Sequence, residues 1–106
     1  MTRPTIFWTP IGIESLRETV NFLRETWNDE IIDRFFLLID EKIDLIQRNP
    51  EIGLKLENSQ FRKIVIHKNT TLFYEIDQSI IKILLIWDNR QNPEDLRKKL
   101  QSSQNM

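Results

Sequence analysis

Cysteine is absent from the 106-residue chain, and histidine occurs once, at His67. Disulfides and thiolate metal sites are therefore excluded, and a conventional zinc site has no donor set; no cofactor or metal is expected. Glycine is scarce, at two residues, and proline occurs four times. No linker or internal repeat divides the chain. An excess of one charge sign is also missing. Fifteen Lys and Arg against 16 Asp and Glu give a formal net charge of −1, so there is no global basic field for a polynucleotide. No apolar run is long enough to span a bilayer, and Arg3 is followed by no signal-like apolar segment. The expectation is a cytoplasmic protein with no membrane partner. What is present, 40% hydrophobic and 29% charged residues, suits one soluble domain with a real core.

The rest of the chain is arranged around the apolar run Ile80-Ile81-Lys82-Ile83-Leu84-Leu85-Ile86-Trp87-Asp88. A continuous β-branched and aromatic run of this length predicts a strand buried on both faces. Lys82 is its one interior charge, and a long stem can carry that ammonium to the sheet edge. The run stops at Asn89-Arg90-Gln91-Asn92-Pro93. Arg90 therefore stands where a central strand leaves the sheet, the first place to look for a site.

Earlier residues supply neighbours and cover. Thr5-Ile6-Phe7-Trp8 predicts a short strand. Thr9 suits an N-cap, and Pro10 the first helical position, where its missing N–H is unpaired anyway. Ile13, Leu16, Val20, Leu23 and Trp27 then form one helical stripe. Gly12 weakens the first turn by roughly 1 kcal/mol against Ala. Asn28 caps a second helix, with Asp29 and Glu30 at its positive end. Its stripe is Ile32, Phe35, Ile39, Ile43 and Ile46, widened by Phe36, Leu38 and Leu45. It closes at Asn49-Pro50, because the residue before proline is pushed out of helical space. So short a connection makes the pair an antiparallel hairpin.

Residues 51–60 read as a loop around Gly53. Strands over 61–67, 70–76 and 80–88 follow, with connections that demand an antiparallel meander. Asn92-Pro93-Glu94-Asp95 opens a short helix, with Arg97, Lys98 and Lys99 near its negative end. Residues 101–106 are polar and expected to fray. The predicted class is α+β in the order β-αα-βββ: one domain, a two-layer sandwich with a helical hairpin on a mostly antiparallel four-stranded sheet. Trp8, Trp27 and Trp87 read as core.

Trp8-Thr9-Pro10 entering the helix pair, Pro50-x-x-Gly53, Arg62-Lys63, Tyr74-Glu75-Ile76 and Trp87-Asp88-Asn89-Arg90-x-x-Pro93 form an ordered set. With that set, from about Thr5 to Leu100, the chain resembles the RelE/ParE superfamily. These are the toxins of type II toxin–antitoxin modules, often labelled plasmid stabilisation proteins. The resemblance implies growth inhibition, a cognate antitoxin that holds the toxin inactive, and operator DNA reached only through that antitoxin. It also implies a choice of mechanism. RelE-like members cut mRNA in the ribosomal A site without a metal. ParE-like members share the fold but poison DNA gyrase.

Metal-free RNA cleavage needs a base for the 2′-hydroxyl, an acid for the leaving oxygen and cations around the phosphate. By the resemblance, Arg90 matches the arginine at the end of the last strand, and Lys63 a basic position on the second. Thr71 occupies a position that is usually arginine, and the late Tyr or His has no counterpart between Gln91 and Met106. The expectation therefore leans to the ParE-like branch, acting by binding. The first alternative is a metal-independent, ribosome-dependent endoribonuclease using Arg90, Lys63 and Arg62. His67 is its base candidate, since only imidazole titrates near neutrality. The second alternative is a non-toxic module that keeps only the antitoxin-binding fold.

Arg62, Lys63, Lys68 and Arg90 read either as a basic clamp or as a solvated strand face. Tyr74 reads as core with its hydroxyl at the rim. The helical half is acidic, which disfavours direct nucleic-acid contact there. The exposed apolar remainder of the second helix and the sheet edge are the expected antitoxin docking places.

Overall fold

The computed structural model describes residues 3–104. Strand β1 (Thr5–Trp8) passes directly into helix α1 (Pro10–Thr26). Thr9 fixes the handover: its hydroxyl accepts from the Gly12 N–H at 2.9 Å, and Pro10 takes the first helical position. Helix α2 (Asp29–Arg48) begins at the Asn28 cap, which accepts from the Ile31 N–H, and ends at Asn49 before Pro50. A 3₁₀ turn (Pro50–Ile52) and strand β2 (Leu54–Lys55) lead into β3 (Phe61–His67), β4 (Thr70–Asp77), β5 (Ile80–Asp88) and helix α3 (Pro93–Gln104).

The strands form one sheet in the order β1-β5-β4-β3-β2. The β3-β4-β5 meander is antiparallel, as its short turns require. Two features correct the four-stranded, mostly antiparallel expectation. β1 lies parallel to β5, with Thr5 opposite Ile80 and Trp8 opposite Ile83. β2 adds a fifth strand, pairing Leu54 with Lys63 and Lys55 with Arg62. At two residues it is too short for any periodicity to announce it. The sheet is mixed.

Both faces of β5 are covered. Towards the hairpin, Leu72, Tyr74, Ile81, Ile83 and Ile86 pack with Val20, Ile32, Phe35, Ile39 and Ile46. On the other face, Phe73, Leu84, Leu85 and Trp87 pack under Leu100, with Leu96 beside them. Helix α3 is thus a partial third layer, where the expectation had the hairpin alone. Residues 101–104, expected to fray, continue that helix, and Ser103 is buried; 105 and 106 lie outside the described residues. Of the three tryptophans expected in the core, Trp87 is buried and Trp8 packs against the hairpin side. Trp27, at the end of α1, is 56% exposed.

The strand β1 runs out at Trp8, so the far half of β5 has no strand on that side. Buried backbone groups must still be paired, and the Thr9 backbone together with serine side chains replaces the missing strand. The Thr9 N–H donates to the Ile83 oxygen at 3.1 Å, and the Ser15 hydroxyl accepts from the Ile86 N–H at 2.9 Å. The Ser103 hydroxyl donates to the Leu84 oxygen at 2.9 Å and lies 2.5 Å from the Thr9 hydroxyl. With the Ser103 proton on Leu84, the Thr9 hydroxyl is the donor towards Ser103, with the Ile83 oxygen at 3.3 Å as its second acceptor. The register against β4 shifts here: Phe73 faces Leu85 and Tyr74 faces Ile83, so Leu84 is the extra residue of a bulge. A Cβ on Gly12 would sit 2.5 Å from the Ile83 oxygen. Close crossing of α1 over β5 is therefore why glycine is there; its helix-propensity cost is secondary.

Candidate functional site at the strand ends

Where β5 leaves the sheet, a cavity of about 790 Å³ opens between the hairpin and the strand ends. Its apolar walls include Phe22, Leu23, Phe35, Leu37 and Ile86. His67, Thr70, Asp88 and Arg90 also line it. His67 arrives there through an irregularity in β3. Val65 faces Thr71, but His67 faces Thr70, so Ile66 is an extra residue. The extra residue turns His67 to the same side of the sheet as the buried Ile66.

Arg90 is exposed but not free. Its Nε–H donates to Asp88 Oδ1 at 3.0 Å and its Nη2 to Oδ2 at 2.7 Å, and its backbone N–H also reaches Oδ1 at 2.9 Å. Hydrogen bonding from the Arg90 side chain holds the Asp88 carboxyl below the ordinary aspartate range, and the same bond raises Arg90 above its own. The Asn89 N–H donates to the Asn69 oxygen at 2.7 Å, and its side-chain oxygen accepts from Thr71 Oγ1 at 3.1 Å. Thr71 is buried, at the position where the resemblance leads one to look for arginine. Asn92 accepts from the Glu94 N–H at 2.9 Å as α3 begins at Pro93. The stretch from Asp88 to Pro93 therefore ends the sheet, sets Arg90 and starts the last helix.

The remaining sequence candidates lie elsewhere. Arg62 Nη1 donates to the Glu51 oxygen at 3.1 Å and the Gly53 oxygen at 2.9 Å. The buried Tyr74 hydroxyl accepts from the Gly53 N–H at 2.9 Å and donates to the Pro50 oxygen at 2.7 Å. A Cβ on Gly53 would fall 2.5 Å from that hydroxyl. Pro50-x-x-Gly53, Arg62 and Tyr74 thus form one clasp that fastens the turn after α2 onto the sheet. Burial pushes the Tyr74 hydroxyl above the usual phenol range. Lys63 pairs across from Phe73, which packs under α3, so it stands on the sheet face away from the cavity. Lys68 is exposed at the β3–β4 turn.

Of Arg90, Lys63, Arg62 and His67, only Arg90 and His67 share the cavity. Sequence reading missed Asp88 as the holder of Arg90. Its signal was an acid two residues before an arginine at a strand end. Among the described residues no three His, Asp or Glu side chains gather to hold a metal ion, and no helix is long and apolar enough to cross a membrane.

The sequence of this chain matches the family of ParE toxins of type II toxin–antitoxin systems, parDE, over residues 6–93. The match ends at the first residue of α3. Among solved structures, the YoeB dimer from Staphylococcus aureus has a similar fold. Its TM-score is 0.54 at 22% identity, covering 77% of this chain and 92% of that one. At that identity the likeness concerns the fold. No curated protein sequence matches significantly. The family match spans most of the chain and agrees with the mixed sheet under a helical hairpin: the chain belongs to the ParE toxin family of type II toxin–antitoxin systems, within the RelE/ParE superfamily.

Proposed function

We propose that this toxin arrests bacterial growth by binding a protein target, DNA gyrase, and not by cutting RNA. The observation that carries the reading is the dispersal of the nuclease candidates. Metal-free cleavage needs a base, an acid and cations converging on one phosphate. Arg62 is taken up by two loop carbonyls, Lys63 stands on the opposite face, and Asp88 occupies one edge of Arg90. The cavity sets three cations, Arg34, Arg90 and Lys99, against three acids, Glu18, Glu41 and Asp88. Arg90 is held by Asp88 and Lys99 lies 3.8 Å from Glu18, so the cavity offers a polyanion little net positive field. It suits a protein surface, where apolar walls and a few oriented polar groups carry affinity.

Neutralisation by a cognate antitoxin fits the same molecule. Phe22, Trp27, Phe36 and Leu37 are exposed along the hairpin, more apolar surface than an acidic helical layer needs for itself. The direct test is to mix the purified chain with gyrase, ATP and supercoiled DNA, then denature and count cleaved DNA. Accumulation of cleaved complexes is expected; their absence counts against the gyrase reading.

One observation favours the nuclease alternative: His67 and Arg90 line the same cavity. If that pair cut RNA, His67→Ala and Arg90→Ala would each abolish growth arrest together with mRNA cleavage. Under the binding reading His67→Ala leaves arrest in place.

A further inference from the structure

We infer that Asp88 is a positioning residue: it grips Arg90 side-on so that the free edge of the guanidinium takes a carboxylate of a protein partner at the cavity mouth. A guanidinium offers two bidentate edges. The Nε–Nη2 edge is filled by the two Asp88 oxygens at 3.0 and 2.7 Å, and the backbone N–H of Arg90 ties Oδ1 down as well. Nη1 has no partner among the described residues, so the Nη1–Nη2 edge is open. The Arg90 side chain is 64% exposed, against 29% for Asp88. The carboxylate is therefore the anchored member and the guanidinium the presented one.

Charge and surroundings select the ligand. The Asp88–Arg90 pair is neutral, so it offers fork geometry and not a strong positive field. The open edge matches a carboxylate and a phosphate alike in geometry, but a singly charged carboxylate needs less positive field to neutralise it. The same cavity is lined by Phe22 and Leu37, by the acids Glu18 and Glu41, and by the cations Arg34 and Lys99, of which Lys99 lies 3.8 Å from Glu18. An acidic side chain set among apolar neighbours fits such a place. That the carboxylate belongs to a protein rests on the reading above; the fork itself does not.

The sign of one substitution tests it. Asp88→Asn removes a negative charge and makes the site more cationic. If Asp88 only competes for Arg90, anions bind better; if Asp88 orients Arg90, they bind worse. The full chain, labelled with ¹⁵N, is titrated with acetate and separately with inorganic phosphate. The readout is the Arg90 side-chain N–H signals, assigned by their loss in Arg90→Lys. Acetate is expected to shift these signals in the wild type, with affinity falling roughly three- to tenfold in D88N and partly restored in Asp88→Glu. Unchanged backbone amide signals elsewhere exclude a folding defect. Equal or tighter acetate binding by D88N overturns the inference, as does stronger binding of phosphate than acetate by the wild type. Failure of the gyrase assay with this titration intact would remove the target and leave the fork standing.

Discussion

At Gly12 an added Cβ would meet the Ile83 carbonyl oxygen at 2.5 Å, with backbone on both sides of the clash. Gly12→Ala is expected to destabilise the protein by about 1–3 kcal/mol, as overpacking of a tight contact does. Thermal melting followed by circular dichroism reads this as a lowered midpoint. Tyr74→Phe leaves the Gly53 N–H and the Pro50 oxygen without their partner. Its expected cost is about 1–3 kcal/mol, measured by urea unfolding. The same variant has a pH signature. Burial raises the Tyr74 hydroxyl, so the folded chain keeps that proton after the unfolded chain has lost its own. Its contribution is therefore complete below about pH 10 and is lost as pH rises through the folded value. Tyr74→Phe should flatten the alkaline fall in stability. Asp88 has the opposite sign: its lowered carboxyl stabilises above about pH 3.9 and loses that contribution as pH falls through the folded value. The Thr9 cap and the Pro10 start were legible in the sequence because capping chemistry is local. The reason for Gly12 was not, because the atom it avoids lies far along the chain.

Strand β5 shows how far local pattern reaches. Its unbroken apolar run announced burial on both faces, and Ile83 to Trp87 are buried. The run did not announce what lies beside it. Parallel pairing with β1 is a non-local contact, and four residues carry no label of their partner. The serines were harder still. Ser15 and Ser103 sit on helices, where a serine reads as solvated or indifferent. Here they close the β5 edge that β1 abandons. Ser15→Ala leaves the buried Ile86 N–H unpaired and is expected to cost about 1–3 kcal/mol. Faster hydrogen exchange at Ile86 than at its neighbours checks this. Helix α3 is held by Leu100, by Ser103 and by the Gln104 amide, which donates to Glu75 Oε2 at 3.1 Å. Truncation after Asn92 would uncover Phe73, Leu84, Leu85 and Trp87. Red-shifted tryptophan emission and loss of solubility are the expected outcomes; a well-folded truncated chain would show α3 to be dispensable.

Across the whole molecule, polar side chains that look alike in sequence do unlike work. Arg62 fastens a turn, Lys63 faces away from the cavity, and Arg90 stands at its mouth in the grip of Asp88. Family membership and the strand-end position of Arg90 were legible from the ordered motifs. The dispersal of the cations was not, because it depends on the cross-strand register and on the carbonyls that the folded turn brings to Arg62. That dispersal is the reason for reading the toxin as a binder. The most direct test is to induce this chain alone in bacteria and map the 5′ ends of cellular mRNA during the first minutes, with growth followed in parallel. Growth arrest without new mRNA ends is the expected result. New ends phased with codons, appearing before growth stops, would contradict it and make the toxin a ribosome-dependent nuclease.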